Sequence, residues 1–397
     1  MKKLSQLFIF VSLGILCGCS TASKTVRVNT GEMKRSQFQG DIVNAGIVYS
    51  TPTGGEDGVA KSFPFSSSIV KEKNLNGVLK KRFETVKRSG CKIITEDLAS
   101  TKQGAISVAL SIDSETHRIS YINGIQKYKL EVIVNAAVVL FDFNTKSVLA
   151  TYPFMITYAD NYSSKPSADI VRGVYEKIFS DVDFSTGRDN INIFTFAANI
   201  LQNIAIYKSY ASTIGVKKIE LDPVAENSMK ELGFGRETAK SFVANLFNGA
   251  ISKNFKIPML PYSYGNSEIF YVMADGYREG DKLSNDLLLK VPNPTYSVSL
   301  SLEKLSYKLK QKENSSMAYI FVSRYKISVF DIENVPVFTG KIAKGNSEVF
   351  TSQYNDKPMH LTALFYNFIQ LFNSRTSERL NGDEKFAKFV DILEKCK

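Results

Sequence analysis

Every second residue from Tyr128 to Leu140 is apolar or small: Tyr128, Leu130, Val132, Val134, Ala136, Val138 and Leu140 fall on one face. That period of two predicts a long β-strand ending at Asp142. The chain then turns through Asn144-Thr145-Lys146, and a second apolar run returns from Val148 to about Tyr158, which is the pattern of a hairpin. Upstream, Ile42 to Tyr49, Cys91 to Thr95 and the alternating Val108, Leu110 and Ile112 predict three more strands. Between the first two lies a Gly-rich loop, Gly54-Gly55-Glu56-Asp57-Gly58. From Ser66 the period becomes helical, with Leu75, Val78, Leu79, Phe83 and Val86 on one face and Lys80, Lys81, Lys87 and Arg88 on the others; Gly90 ends the helix. Lys165-Pro166 opens another helix with the face Val171, Val174, Tyr175 and Ile178, and a last one carries Phe194, Ala197, Ala198 and Leu201.

The same order returns. Residues 138–150 and 327–339 align without a gap at an offset of 189 (327 minus 138), both reaching Phe-Asp, at Phe141-Asp142 and Phe330-Asp331, before the turn. Asn76-Gly77-Val78-Leu79 matches Asn248-Gly249-Ala250-Ile251, Tyr162 and Lys165-Pro166 match Tyr354 and Lys357-Pro358, and the last helix matches Phe386, Phe389, Val390 and Leu393. The pattern predicts an α+β fold of two tandem related modules, each a mostly antiparallel sheet packed against helices. The divisions expected are residues 1–18 as signal peptide, 19–41 as tether, 42–210 as module one and 211–397 as module two, with Val216 to Leu221 starting the second sheet. Module two carries extra sequence between Ile257 and Pro294, rich in Tyr, Gly, Asp and Asn, which reads either as a binding element or as a solvated loop.

The leader alters the picture. Met1-Lys2-Lys3, the apolar run from Leu7 to Leu16 and Cys17-Gly18-Cys19-Ser20 form a charged, an apolar and a small-residue region in that order. The apolar run is short for a bilayer span. Leu16-Cys17-Gly18-Cys19 resembles the lipobox of bacterial lipoproteins, and that resemblance implies cleavage before Cys19 and acylation of its thiol. Ser20 rather than Asp after the cysteine implies, by the same resemblance, an outer-membrane location facing the periplasm. Polar residues 20–42 then read as a flexible tether.

With 44% hydrophobic and 22% charged residues the chain is globular rather than disordered. Net charge is +11, of which Lys2 and Lys3 supply two units; the remainder suits anionic headgroups or an acidic envelope partner, and an exported chain makes nucleic acid an unsuitable one. The densest basic cluster is Lys80, Lys81, Arg82, Lys87 and Arg88, read as solvated surface or as a docking face. Four cysteines are present; once Cys17 leaves and Cys19 is acylated, Cys91 and Cys396 remain, either as a disulfide clamping the modules or as two unpaired thiols.

The order strand, helix, strand, strand, long strand, turn, strand, helix resembles the periplasmic module of the curli secretion channel lipoprotein family, the N-terminal domain of the Tol-system propeller protein and the lipoprotein activators of penicillin-binding proteins. The residues carrying this are Val139 to Leu149, apolar positions followed by Asp142, Thr145 and again apolar positions; in module two Asn334 replaces the Thr and Pro336 intrudes. The resemblance implies a non-catalytic protein-binding fold.

Sites for chemistry are sparse. His117 and His360 are the two histidines, one per module, and read as surface or capping residues rather than parts of a triad or metal site. Ser68-Ile-Val-Lys71 fits the Ser-x-x-Lys of penicillin-recognising enzymes, with Tyr121-Ile-Asn123 as a companion, but no Lys-Thr-Gly or Lys-Ser-Gly follows. Asp181, Asp183 and Ser185 resemble the start of a calcium loop, with Gly187 one place late and Asn192 where a bidentate Glu is expected. No cofactor, metal or small-molecule substrate is expected. The function expected is a non-enzymatic, lipid-anchored periplasmic binding or scaffolding protein of an envelope assembly, with a peptidoglycan-synthase regulator or a Ser68-dependent envelope hydrolase as alternatives.

Overall fold

The computed structural model describes residues 37–397 apart from 52–54, 96–97, 99–104, 123–125, 181–191, 264–265, 280–281 and 352–356. Cys19, the leader, most of the tether, Asn123, the Asp181-Gly187 loop and Tyr354 lie outside the described residues. In chain order the first half holds β1 (Gly40–Thr51), α1 (Glu56–Ser62), α2 (Ser66–Glu72), α3 (Leu75–Glu84), β2 (Cys91–Ile94), β3 (Ile106–Ile122), β4 (Lys127–Asp142), β5 (Ser147–Tyr162), α4 (Ala168–Ile178) and α5 (Ile193–Asn203). The second holds β6 (Ile214–Leu221), α6 (Pro223–Glu231), α7 (Arg236–Phe255), β7 (Glu268–Glu279), β8 (Lys282–Lys290), β9 (Tyr296–Glu313), β10 (Ser316–Phe330), β11 (Pro336–Thr351), α8 (Lys357–Gln370), a π-helical turn (Leu371–Arg375), α9 (Thr376–Gly382) and α10 (Ala387–Lys395). The fold is α+β.

The two halves share a strand plan. In the first, β1 runs parallel to β3, and β3, β4 and β5 form an antiparallel meander; in the second, β6 runs parallel to β9, and β9, β10 and β11 repeat the meander. The repeated Phe-Asp marks the same turn. Asp142 Oδ1 accepts from the backbone N–H groups of Asn144 (2.9 Å) and Thr145 (3.1 Å), and Asp331 Oδ1 from those of Glu333 (3.1 Å) and Val335 (2.8 Å). A carboxylate at the first turn position ties down the loop amides, while Lys146 and Asn334 take the positive φ that reverses the chain.

The Gly54–Gly58 stretch departs from the loop reading: its acidic residues Glu56 and Asp57 begin helix α1, placed favourably at the positive end of the helix dipole. A larger departure concerns residues 257–294. They hold the hairpin β7–β8, which leaves its own module and joins the first sheet, giving the seven-stranded order β2-β1-β3-β4-β5-β8-β7. β7 then pairs back onto β1, from Val48 opposite Met273 to Thr51 opposite Phe270, while β8 meets β5 at Ser147 and Lys290. The sheet therefore closes on itself, and β1 gives one edge to two partners, β2 along Gly40–Val43 and β7 along Val48–Thr51. Pairing of β7 with the end of β1 covers strand edge that would otherwise invite intermolecular pairing.

Both faces of its central strands β1, β3 and β4 are consequently buried where the three pair. One packs under the helices of the first half through Ile42, Ile47, Val108, Leu110, Val138 and Leu140. The opposite face sets small residues, Ala45, Ala109 and Ala137, against Tyr271, Met273, Leu287 and Leu289 of the hairpin, so the small side chains make room for the large ones. Further along, Ile133 and Met155 pack into the core of the second half, and Thr151 exchanges backbone hydrogen bonds with Met259 at 3.1 and 2.9 Å. Residues 37–397 form one compact unit.

Leu289 is fully buried in the hairpin core. Leu289→Ala is expected to lower unfolding stability by about 2–5 kcal/mol in a denaturant titration and to raise hydrogen exchange in β1 along with β7, because the two strands share that core.

Candidate binding face and polar cavity

The four-stranded sheet, ordered β11-β10-β9-β6, has one covered side. Val298, Leu300, Leu302, Phe321, Tyr325 and Ile327 face α6 to α10 and form a single core with them. On β10 the alternate residues Ile320, Val322, Arg324, Lys326, Ser328 and Phe330 point the other way, are half-exposed, and belong to no buried core among the described residues. Register puts Ser299 beside Ser328, Ser301 beside Lys326, and Thr339 and Lys341 beside the same two residues on the far strand. The outcome is a broad face rich in hydroxyls and cations. Glu303 at its centre pairs with both Arg324 and Lys341 at 2.8 Å, and Lys218 pairs with Glu220 at 2.5 Å. Lys304, Lys308 and Lys326 make no ion pair among the described residues, so the face is net positive.

The basic cluster of α3 and its flank does not form one continuous surface. Lys80 pairs with Asp275 of β7 at 3.1 Å, Arg82 donates to the Thr195 hydroxyl, and Arg88 donates to the backbone carbonyls of Leu201 and, at 2.6 Å, Ile204, capping the end of α5. Lys81 and Lys87 remain exposed. Three of the five thus hold elements of the fold together.

The two cysteines do not meet. Cys91 on β2 sits beside the first-half helical core, its Sγ 2.9 Å from the Phe38 carbonyl, while Cys396 is buried in the core of the second half; both are free thiols. The disulfide alternative fails because each residue belongs to a different core. His360 is buried rather than superficial, with Tyr319, Tyr307 and Phe350 at 4.0, 5.0 and 5.1 Å between ring centroids. His117 is exposed on β3 and lies edge-on to Phe65 at 5.4 Å. Ser68 donates to the Phe65 carbonyl at 3.0 Å and accepts from Arg172 at 3.1 Å, an ordinary helix-surface arrangement, while Lys71 is exposed.

Two carboxylates on β3 escaped notice in the sequence. Glu115 accepts from the backbone N–H groups of Phe65 (2.8 Å) and Ser66 (2.9 Å), capping α2 from across the sheet; burial raises its pKa against the lowering effect of those bonds. Asp113 accepts from Ser111 Oγ at 2.5 Å and borders a cavity of about 30 Å³ between the seven-stranded sheet and α7; burial pushes its pKa up to about 6. Ser111 and Asp113, polar residues directly after the apolar run Val108-Ala109-Leu110 of β3, were the available signal.

No family model matches the chain, and no curated protein matches it. Solved structures that match include a minor lipoprotein from Acinetobacter baumannii, 5% identical over 44% of this chain and 92% of that one, with a TM-score of 0.21. Another is a neuraminyllactose-binding hemagglutinin homolog from Helicobacter pylori, 9% identical over 47% of this chain and 89% of that one, with a TM-score of 0.23.

Thiol labelling reads the cysteine arrangement directly. Under native conditions Cys91 is expected to react with a small maleimide before Cys396, which should label only on unfolding, and oxidised and reduced protein should migrate alike on denaturing gels.

Proposed function

We propose that this chain is a non-enzymatic, lipid-anchored binding or scaffolding protein of a bacterial envelope, held at the outer membrane by Cys19 and facing the periplasm. In this reading residues 1–18 are removed, residues 19–41 tether the body to the lipid, and the modules 42–210 and 211–397 present one binding surface to an envelope protein. The lipobox-like leader supports the anchoring, since two or more acyl chains give stable membrane residence. The observation that carries the binding reading is the inequality of the two sheets. One is closed, with β1, β3 and β4 buried on both faces along their paired middle; the other, built on the same strand plan, keeps a face of four strands open.

An open face lined by hydroxyls and small aliphatics around a cationic centre suits an acidic protein surface. Lys304, Lys308 and Lys326 supply charge that no carboxylate among the described residues neutralises, and charge of that kind steers association more than it adds affinity. Ile320 and Val322 supply apolar contact beside it, the mixture usual at non-obligate interfaces.

Two experiments test this reading. Replacing Cys19 with Ser is expected to move the chain from the membrane to the soluble fraction; unchanged membrane retention removes the lipid anchor. A photo-crosslinking residue at Ser328 is expected to give one discrete adduct in intact cells, lost when Lys326 and Lys341 are changed to Glu, whereas the same probe at Lys87 gives none. Equal adducts at both positions, or an adduct indifferent to the charge reversals, would remove the open sheet as the docking surface.

A further inference from the structure

The cavity beside Asp113 poses an electrostatic problem that its own walls do not solve. Asp113 is the additional residue of a bulge in β3, since Ile112 pairs with Ala136 and Ser114 with Asn135. Bulges of this kind re-aim a side chain. The carboxylate receives a hydrogen bond from Ser111, yet no lysine, arginine or histidine lines the cavity. Asp113 is half-buried, and a carboxylate partly withdrawn from water favours a counter-charge or a proton.

A second acceptor faces the same space. Asn248 of α7 is 2% exposed, lines the cavity, and its Oδ1 has no hydrogen-bond partner. The internal repeat shows what this residue does elsewhere: its counterpart Asn76 uses Oδ1 to accept from the Ile47 backbone N–H at 2.6 Å, across the bulge in β1. Freed from that duty, Asn248 presents an orphan carbonyl oxygen. Ser241 Oγ, two helical turns earlier on α7, is also buried without a partner.

We propose that this cavity binds a small monovalent cation of the sodium class, held between the Asp113 carboxylate and the Asn248 amide oxygen. The donor set is all oxygen, which selects a hard cation. Its formal charge is −1, which one monovalent ion balances, whereas a divalent ion would leave a buried excess of positive charge. The volume, about 30 Å³, accommodates about two water-sized occupants, an ion with a water. The ion joins β3 of the first half to α7 of the second, so occupancy clamps the two halves together. Tyr262 and Tyr271 are the other titratable groups on the cavity wall; α7, β1 and β5 contribute none.

The test is thermal unfolding of the full mature chain at pH 7.5 and constant ionic strength, with choline, potassium, sodium or calcium chloride. Sodium is expected to raise Tm over choline by about 1–3 °C, as binding to the folded state alone requires. Asp113→Asn should abolish the difference, and Asn248→Ala should reduce it; the latter removes an orphan acceptor and keeps the test available if the former does not fold. A larger rise with potassium keeps the monovalent site and assigns it to the bigger ion. Identical curves in sodium and choline, a rise confined to calcium, or a sodium effect undiminished in both variants overturns the proposal.

Discussion

A β-strand that is apolar on both faces cannot stand in a sheet with one side open to water, and β4 is such a strand. From Leu130 to Phe141 every residue is buried, Ile133, Ala137, Val139 and Phe141 on one face and Val132, Val134, Ala136, Val138 and Leu140 on the other. The helices of the first half cover one face only. Covering the second requires chain from the other half: the hairpin β7–β8 at one end and α7 with α8 at the other. The architecture follows from this demand. The hairpin must cross between repeats, the sheet must curl until β7 reaches β1, and the halves become one compact unit.

The repeat then diverges for a physical reason. The strands of the second meander alternate cleanly, with Val298, Leu300 and Leu302 inward and Ser297, Ser299 and Ser301 outward, so one layer of helices satisfies them. Alternation of that kind marks an antiparallel sheet with a wet side. The same ancestral plan thus yields a sealed sheet that serves as the frame and an open sheet that can present a surface. Turn chemistry is retained in both, through Asp142 and Asp331, because a hairpin needs its loop amides bonded whatever lies on its faces.

Charge is divided in a similar way. Lys80, Arg82 and Arg88, conspicuous in the sequence as a basic helix face, reach acids, hydroxyls and helix-end carbonyls of neighbouring elements. A guanidinium on α5's last carbonyls both satisfies orphan acceptors and opposes the negative end of the helix dipole. On the open sheet, Lys304, Lys308 and Lys326 make no ion pair among the described residues, at positions of β9 and β10 that the register places outward.

The sequence by itself determined the α+β class, the repeat, most element positions and the hairpin turns, because these depend on periodicity and on residues a few positions apart. β1, β3, β4, β5, α4 and α5 fall where the apolar spacing puts them. What it left undecided depends on contacts between distant residues. The 257–294 stretch has strand-forming runs at Glu268–Glu279 and Lys282–Lys290, but nothing local says that their partners are Thr51 and Ser147. The fates of Cys91 and Cys396, the partners of the basic residues, and the meeting of Asp113 with Asn248 are of the same kind. Each depends on residues more than a hundred positions apart: Lys80 reaches Asp275 and Asp113 shares a cavity with Asn248 only because the second half closes the first sheet, whereas Cys91 and Cys396 stay in separate cores.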